Sequence, residues 1–333
     1  MKFVHLHVHS HYSLLDGLPK IEGLVLKAKA LGMNALALTD HGSLYGAIEF
    51  YKTAKKHGIK PIIGSEVYIA ARGMRDRQPG FDDRRFHLTL LAQNNRGYKN
   101  LIKLVTVANL EGFYYKPRLD KEALRCYSDG LIALSGCLSG EIPRAIITKD
   151  LERAEALVQE YKDIFGDRFY IELAHHPKIQ FSEELNRTLL GYAEKYQIMI
   201  VATCDAHYLE KDDAKAQDIL MAVQTGAKLG EGDRFTLGQS DFSLKSAEEM
   251  YETFPYPKEA LENTQKIADM CDVEIELGKI QLPYFEVPAG ETPQTYLKKL
   301  CLEKMPERYA EITEAIGQRL DYELSVIEKT GFA

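Results

Sequence analysis

Short apolar runs rich in β-formers recur along the chain, separated by stretches whose apolar positions follow a helical period. Seven runs stand out: Phe3–His9, Ala35–Asp40, Pro61–Ile69, His87–Ala92, Leu131–Ser135, Phe169–Leu173 and Met199–Asp205. The helical stretches between them are Leu24–Leu31, Ala47–His57, Tyr98–Asn109, Leu151–Phe165 and Glu183–Tyr196, two of which run into Gly32 and Gly58, a common helix stop. Regular alternation of this kind predicts parallel strands joined by crossover helices. Seven units over about 220 residues suit a closed α/β barrel better than an open sheet, and such barrels place their chemistry at the C-terminal ends of the strands.

After Leu220 the pattern changes. Gly226–Gly238 reads as a Gly-rich loop, Ser246–Thr253 and Lys258–Cys271 as helices, Ile280–Gly290 as an extended linker, and Thr292–Lys304 and Glu307–Lys329 as two more helices. The expected organisation is a barrel over 1–225, further elements and a linker over 226–290, and a helical segment over 291–333. The final Thr330-Gly331-Phe332-Ala333 has no tail character and reads as a cut through a longer protein.

The first run carries His5, His7, His9 and His11 at every second position. Residues two apart share one face of a strand, so these imidazoles would line one side. Neutral imidazole is the commonest metal ligand, which makes this strand the first place to look for a metal centre. The other strand ends carry similar groups: Asp16 in the loop after the first, Asp40-His41 after the second, Glu66 in the third, His87 opening the fourth, Cys137 after the fifth, and Asp205 with His207 after the seventh. Any one of these is common by chance; Cys137 alone reads as a small buried hydrophobe, His87 alone as an ordinary strand residue and Asp16-Gly17 alone as a turn. Their joint placement is the signal. A mixed imidazole, carboxylate and thiolate shell suits zinc, with manganese or iron as alternatives. Nine donors exceed one tetrahedral ion and could serve two or three through a bridging carboxylate. Such clusters bind phosphate oxygens and lower the pKa of water, so the implied chemistry is phosphoester hydrolysis. His5 and Asp40 are expected behind the ligands, His11 at the rim, and His57, His175 and His176 as surface or structural residues.

Composition narrows the partners. The 333 residues are 45% hydrophobic with a net charge of -7, so nucleic acid would be held by a local site rather than by bulk charge. One such site is the loop between the third and fourth runs, with Arg72, Arg75, Arg77, Arg84 and Arg85; it could grip phosphates or be a solvated loop. Tyr114 and Tyr115 could stack on bases or simply pack. Five scattered cysteines without a Cys-x-x-Cys pair argue against a disulfide framework or zinc ribbon and for a reducing compartment. With no apolar run near the roughly 20 residues of a membrane span and no export signal, the expected location is the cytoplasm, with no membrane partner.

These motifs resemble a known family along the whole chain. The segments that carry the resemblance are His5-Leu6-His7-Val8-His9-Ser10 through Asp16-Gly17-Leu18, Leu38-Thr39-Asp40-His41-Gly42, Pro61-Ile62-Ile63-Gly64-Ser65-Glu66, His87-Leu88-Thr89-Leu90-Leu91-Ala92, Leu134-Ser135-Gly136-Cys137, Val201-Ala202-Thr203-Cys204-Asp205-Ala206-His207-Tyr208 and Glu276-Leu277-Gly278. They are similar to the PHP domains (polymerase and histidinol phosphatase) that open the alpha subunits of bacterial DNA polymerase III, the replicative C-family polymerases. The resemblance implies a distorted seven-stranded (β/α)7 barrel, followed here by a mostly helical C-terminal extension that leads into the polymerase. It implies three divalent ions: one on His7, His9, Glu66 and Asp205, a second on Glu66, His87 and Cys137, a third on Asp16, His41 and His207. Some relatives have lost several of these ligands, whereas this chain has all nine. Asp16 stands where the phosphatase branch tends to carry histidine. The implied activity is a metal-dependent 3′–5′ exonuclease that proofreads DNA 3′ ends, with Glu66, Asp205 and His9 as candidate catalytic groups. DNA synthesis would belong to the rest of the polymerase chain, its thumb and palm, acting with other replisome subunits. Two further readings are a metal-braced docking domain without nuclease activity and a phosphomonoesterase resembling histidinol phosphatase.

Overall fold

A computed structural model describes residues 2–14, 16–179, 181–228, 240–279 and 283–333. Most of the expected Gly226–Gly238 loop and the start of the Ile280–Gly290 linker lie outside the described residues. The strands are β1 (Ala35–Leu38), β2 (Lys60–Ala70), β3 (Arg85–Ala92), β4 (Phe113–Tyr114), β5 (Lys116–Leu119), β6 (Leu131–Leu134), β7 (Phe169–Ala174) and β8 (Met199–Thr203). The helices are α1 (Ile21–Ala30), α2 (Ala47–His57), α3 (Asn95–Leu110), α4 (Lys121–Tyr127), α5 (Glu141–Ile147), α6 (Leu151–Phe165), α7 (Ser182–Tyr196), α8 (Ala214–Thr225), α9 (Ala247–Thr253), α10 (Glu259–Met270), α11 (Pro293–Arg308) and α12 (Glu314–Thr330). No helix among the described residues is long and apolar enough to cross a membrane.

The sheet runs β4-β5-β2-β3-β6-β7-β8, with β1 also on β2. Residues 3–9, expected as a regular strand, form instead an extended segment with one isolated bridge, Val8 to Ala206. The Thr39 hydroxyl interrupts the ladder: it accepts the Val8 N–H at 2.9 Å in place of a backbone carbonyl, while the Val8 carbonyl accepts from both the Thr39 N–H at 2.9 Å and the Thr39 hydroxyl at 3.0 Å. The segment still joins both neighbours. Ala37 N–H donates to His5 O, and Ala206 N–H to His7 O. It therefore closes a ring of seven with β1, β2, β3, β6, β7 and β8.

Not all strands are parallel, contrary to expectation. β3 runs antiparallel to both β2 and β6. The reason is the connection over residues 71–84, which contains no helix and so cannot make a right-handed crossover. This reversal explains why His87 serves from the beginning of its strand while other site residues lie at strand ends.

Two apolar layers follow from period two along the strands. One faces the helices. The other, including Val4, Leu6, Ala37, Ile62, Leu91, Leu134, Tyr170 and Val201, is capped by Ile267, Ala268 and Cys271 of α10 and its end. Stepping by two along the strands leads from this inner layer to the site: Ile62, Gly64, Glu66; Leu91, Thr89, His87; Tyr170, Glu172; Val201, Thr203, Asp205. Met1–Ile275 forms one compact unit and Glu276–Ala333 a second, whose helices α11 and α12 are linked by a Lys298–Asp321 ion pair at 3.2 Å.

The candidate metal centre

All nine expected donors converge at one end of the barrel, with Glu66 in the middle. Its Oε1 lies 3.3 Å from His7 Nε2, 2.7 Å from His87 Nδ1 and 3.7 Å from Cys137 Sγ. Its Oε2 lies 3.6 Å from His9 Nε2 and 2.7 Å from His41 Nδ1. Asp205 Oδ1 is 3.3 Å from His7 Nε2, 3.2 Å from His9 Nε2 and 3.6 Å from His207 Nδ1. Asp16 reaches His41 Nε2 at 3.0 Å. The His207 ring stacks on His9 with centroids 4.4 Å apart. Three overlapping sets place their donor atoms within 4.8 Å of one another: His7, His9 and Glu66; His41, Glu66 and His87; His9, His41 and His207.

Whether these residues fit metal ions can be judged from their unused atoms. His7 Nε2, His9 Nε2, His41 Nδ1, Asp16 Oδ1, Glu66 Oε2 and Asp205 Oδ1 are buried without a hydrogen-bond partner. Burying that many unsatisfied polar atoms together is expensive, and cations among them would satisfy them all. Hydrogen bonds on the far side of the rings orient the lone pairs. His7 Nδ1 bonds the Glu172 carboxylate at 2.7 Å, His207 Nδ1 bonds the Asp205 carbonyl at 2.7 Å, and His9 Nδ1 bonds Ser13 Oγ at 2.8 Å. In this arrangement each Nδ1 donates and each Nε2 presents its lone pair. Ser13 in turn donates to Asp40, which also takes the N–H and hydroxyl of Ser10. Asp40 thus acts on His9 through Ser13. His5 is buried, but it gives its Nε2 to the Lys245 carbonyl and, among the described residues, pairs with no carboxylate. Burial lowers its pKa to about 4.

Glu172 and its donor Thr203, at 2.6 Å, are the functional residues that sequence reading missed. The signal was a glutamate inside the apolar run Phe169–Leu173, where a charge is almost never buried unless paired.

The electrostatics fit a site built for cations. Burial works against a charge on His7, yet Asp205, Glu172 and Glu66 outweigh it and hold the imidazole well above its usual range. His41 is raised likewise, against burial, by Tyr68, Asp16 and Glu66. His9 falls to about 3 through burial and the neighbouring His41 and His207. Burial opposes the charge on Glu66, but His87, His7 and His41 hold its carboxyl well below the usual range. Burial and the nearby carboxylates push the Cys137 thiol well up, so it becomes a thiolate only beside a cation. Metal uptake must therefore expel protons. Calorimetric titration of zinc into chelator-treated protein, in buffers of different ionisation heat, is expected to show release of roughly two to three protons near pH 7, from His7, His41 and Cys137. Apparent affinity should fall as pH drops. Heats independent of the buffer would show that these groups are already deprotonated.

The cluster opens into a cleft of about 1150 Å³ bordered by Asp16, His41, His87, Cys137, Asp205 and His207. His176, expected as surface or structural, is 3% exposed, borders the same cleft and packs on Phe242 at 4.5 Å. The arginine loop is mostly committed elsewhere. Arg72 pairs with Asp82 at 2.6 Å, Arg75 with Glu111, and Arg77 bonds the Glu111 carbonyl at 3.4 Å. Arg84 is exposed. Of the five only Arg85 borders the cleft. The loop is held by the buried Arg118, which donates to the carbonyls of Gly112, Asp82, Met74 and Asp76. Tyr114 and Tyr115 pack on each other at 4.6 Å and are not among the residues that border the cleft.

An α/β barrel with a histidine–carboxylate cluster at its strand ends defines a class of metal-site proteins. Residues 5–176 match the PHP domain family, and the chain belongs to it. It is 46% identical over 99% of its length to DNA polymerase III subunit alpha of Borreliella burgdorferi, and 44% identical over 95% to that of Thermus aquaticus. The aligned region is 29% and 27% of those two proteins, so the chain spans under a third of the relatives it matches. Among solved structures, a two-domain protein from Bacteroides vulgatus, described as containing a predicted PHP-like metal-dependent phosphoesterase, aligns with 62% of this chain and 52% of its own at 22% identity and a TM-score of 0.38.

Proposed function

We propose that this chain is the PHP region of a replicative DNA polymerase and that its cluster hydrolyses phosphodiesters, removing nucleotides from DNA 3′ ends. The observation that carries the reading is the convergence of nine donors, several with unpartnered buried atoms, beside a cleft large enough for a nucleotide. The donor set suits three divalent ions, zinc first, with manganese or iron as alternatives. When bound, such ions polarise a phosphate oxygen and lower the pKa of a water. The chain's own part is orientation: Glu172, Ser13 and the Asp205 carbonyl hold the Nδ1 protons of His7, His9 and His207. Glu66, Asp205 and His9, at the centre of the cluster, are the groups assigned to direct roles. Residues 291–333 are assigned to the start of the polymerase region. DNA synthesis is assigned to the rest of a longer chain, in the cytoplasm with other replisome subunits. The test is release of 3′-labelled nucleotides from a DNA primer with zinc or manganese, lost on chelation. No release, either by this chain or by the full-length polymerase that contains it, would falsify the nuclease reading.

The burial of His7, His9 and Glu66, each at most 1% exposed, favours a second reading in which the ions brace the barrel as a docking platform. It predicts a lower melting temperature on chelation with no nuclease activity to lose.

A further inference from the structure

Arg72, Arg75, Arg96, Arg125 and Arg153 each find a carboxylate. Arg85, Lys116 and Arg144 all border the metal-site cleft, and among the described residues none of them has a carboxylate within 4.0 Å. An unpaired cation on a surface is ordinary. Three around one cleft, beside a carboxylate cluster, form a rim that would attract an anion.

Strand geometry explains how the rim is built. Glu66 and Tyr68 share a face of β2, and His87 and Arg85 share a face of β3. Tyr68 lies directly opposite His87 in the antiparallel register, so both strands carry their inner face outward from the centre by one step. On the other side of β2, Tyr68 is paired with Arg118 of β5, two residues from Lys116. The Tyr68 ring is the floor: Arg85 lies over it at 5.8 Å and Lys116 at 5.9 Å, while its edge meets His87 at 5.3 Å. Contact with one ring gathers the two cations beside the ligands. Arg144, on α5, adds a third charge. The cleft is also bordered by Ile179, Met221 and Phe242, apolar side chains interspersed with His176, Gln224 and Thr225. It thus offers both cations and apolar surface.

We infer that Tyr68, Arg85, Lys116 and Arg144 form a binding rim for the phosphate next to the one at the metal centre, so that the site selects a single-stranded polynucleotide end over an isolated phosphoester. The inference rests on the proposed phosphodiester chemistry for the position of the first phosphate. The cations take the backbone and the apolar side chains take the unpaired base, a combination that suits single-stranded nucleic acid.

The test uses the whole chain and a fluorescent single-stranded oligo-dT whose 3′ linkages are phosphorothioates, with binding read by anisotropy in zinc and again in chelator. Arg85→Ala and Lys116→Ala are each expected to weaken binding roughly three- to tenfold and to flatten the log–log salt dependence by about 0.7 per lost contact. Lys52→Ala, an exposed cation of α2, should change neither. In turnover, the rim variants should raise KM for the oligonucleotide with kcat retained, and leave bis(p-nitrophenyl) phosphate, which has no neighbouring phosphate, unaffected. Unchanged affinity and salt slope in the Arg85→Ala, Lys116→Ala double variant overturn the rim. Rim-dependent binding without any hydrolysis supports the rim while removing the nuclease; hydrolysis with rim-independent binding does the reverse.

Discussion

Replacing Glu66 with Ala is expected to strip the centre of metal and to abolish phosphoester hydrolysis. The expectation follows from position. One carboxylate lies within 4.0 Å of His7, His9, His41, His87 and Cys137, five of the other eight donors, and both of its oxygens face donor atoms. It is also 1% exposed, so its loss leaves a void among buried polar groups. Removing one partner from a buried ionic network typically costs about 3–5 kcal/mol, because the remaining charges stay behind uncompensated. The variant should therefore bind far less metal by elemental analysis and melt well below the parent, while activity falls by more than about a hundredfold, the upper end of what losing an outer partner alone would cost. Glu66→Gln separates the two effects. It keeps the volume and one acceptor, so it should recover part of the stability but little of the activity. A Glu66→Ala protein with full metal content would show that the other donors suffice, and the central role given to this carboxylate would be wrong.

Glu172→Ala should lower zinc affinity by roughly 10- to 100-fold without removing any of the nine donors. Glu172 touches no other donor of the cluster; its carboxylate takes the Nδ1 proton of His7 and the Thr203 hydroxyl. Without it His7 loses the partner that fixes its tautomer and directs Nε2 toward Glu66 and Asp205. The same change deprives the His7 imidazole of one of the carboxylates that raise its pKa, behind Asp205 and ahead of Glu66. Competition against a chromophoric chelator measures the affinity. Glu172→Gln, which can still accept from Nδ1, should fall between the two. Thr203→Val, which removes only the second hydrogen bond, should cost less than either. Equal affinity in Glu172→Ala and the parent would mean that packing alone orients the His7 ring.

Much of this was legible before any coordinates. The helices Ala47–His57 and Leu151–Phe165 lie where the apolar period placed them, because an eleven- or fifteen-residue amphipathic stretch is read over several turns. The positions of the donors at strand ends were legible for a related reason: each strand is a short apolar run, and the first polar residues after it stand out. What could not be read was direction. β3 has the composition of a parallel strand, and only the helix-free stretch over 71–84 indicates a reversal. The hairpin of β4 and β5 was hidden in Phe113–Leu119, where a two-residue strand has no period to detect. The arginine loop could be read two ways for a physical reason. Charge alone does not say whether an arginine faces a ligand or an internal partner, and here Asp82, Glu111 and the backbone carbonyls around Arg118 decide it. Lys116 and Tyr68 carried no signal of their own and acquire meaning only from the register that places them beside Glu66 and His87.

The ring closed by residues 3–9 carries a consequence for synthesis. The segment is made before its partners: Asp205, with Ala206 beside it, lies 198 positions after His7. At the usual rates of synthesis the histidines of this segment wait on the order of 10–40 s before these neighbours exist. Closure therefore has high contact order and comes late, and a metal ion held by this cluster could not template the early fold, because two of the nine donors, Asp205 and His207, emerge last. A nascent chain of this protein passes through a stage with one seam open and an apolar, imidazole-bearing edge exposed. Slowing elongation before residue 207 would lengthen that stage, and the yield of soluble protein should be most sensitive to pauses there.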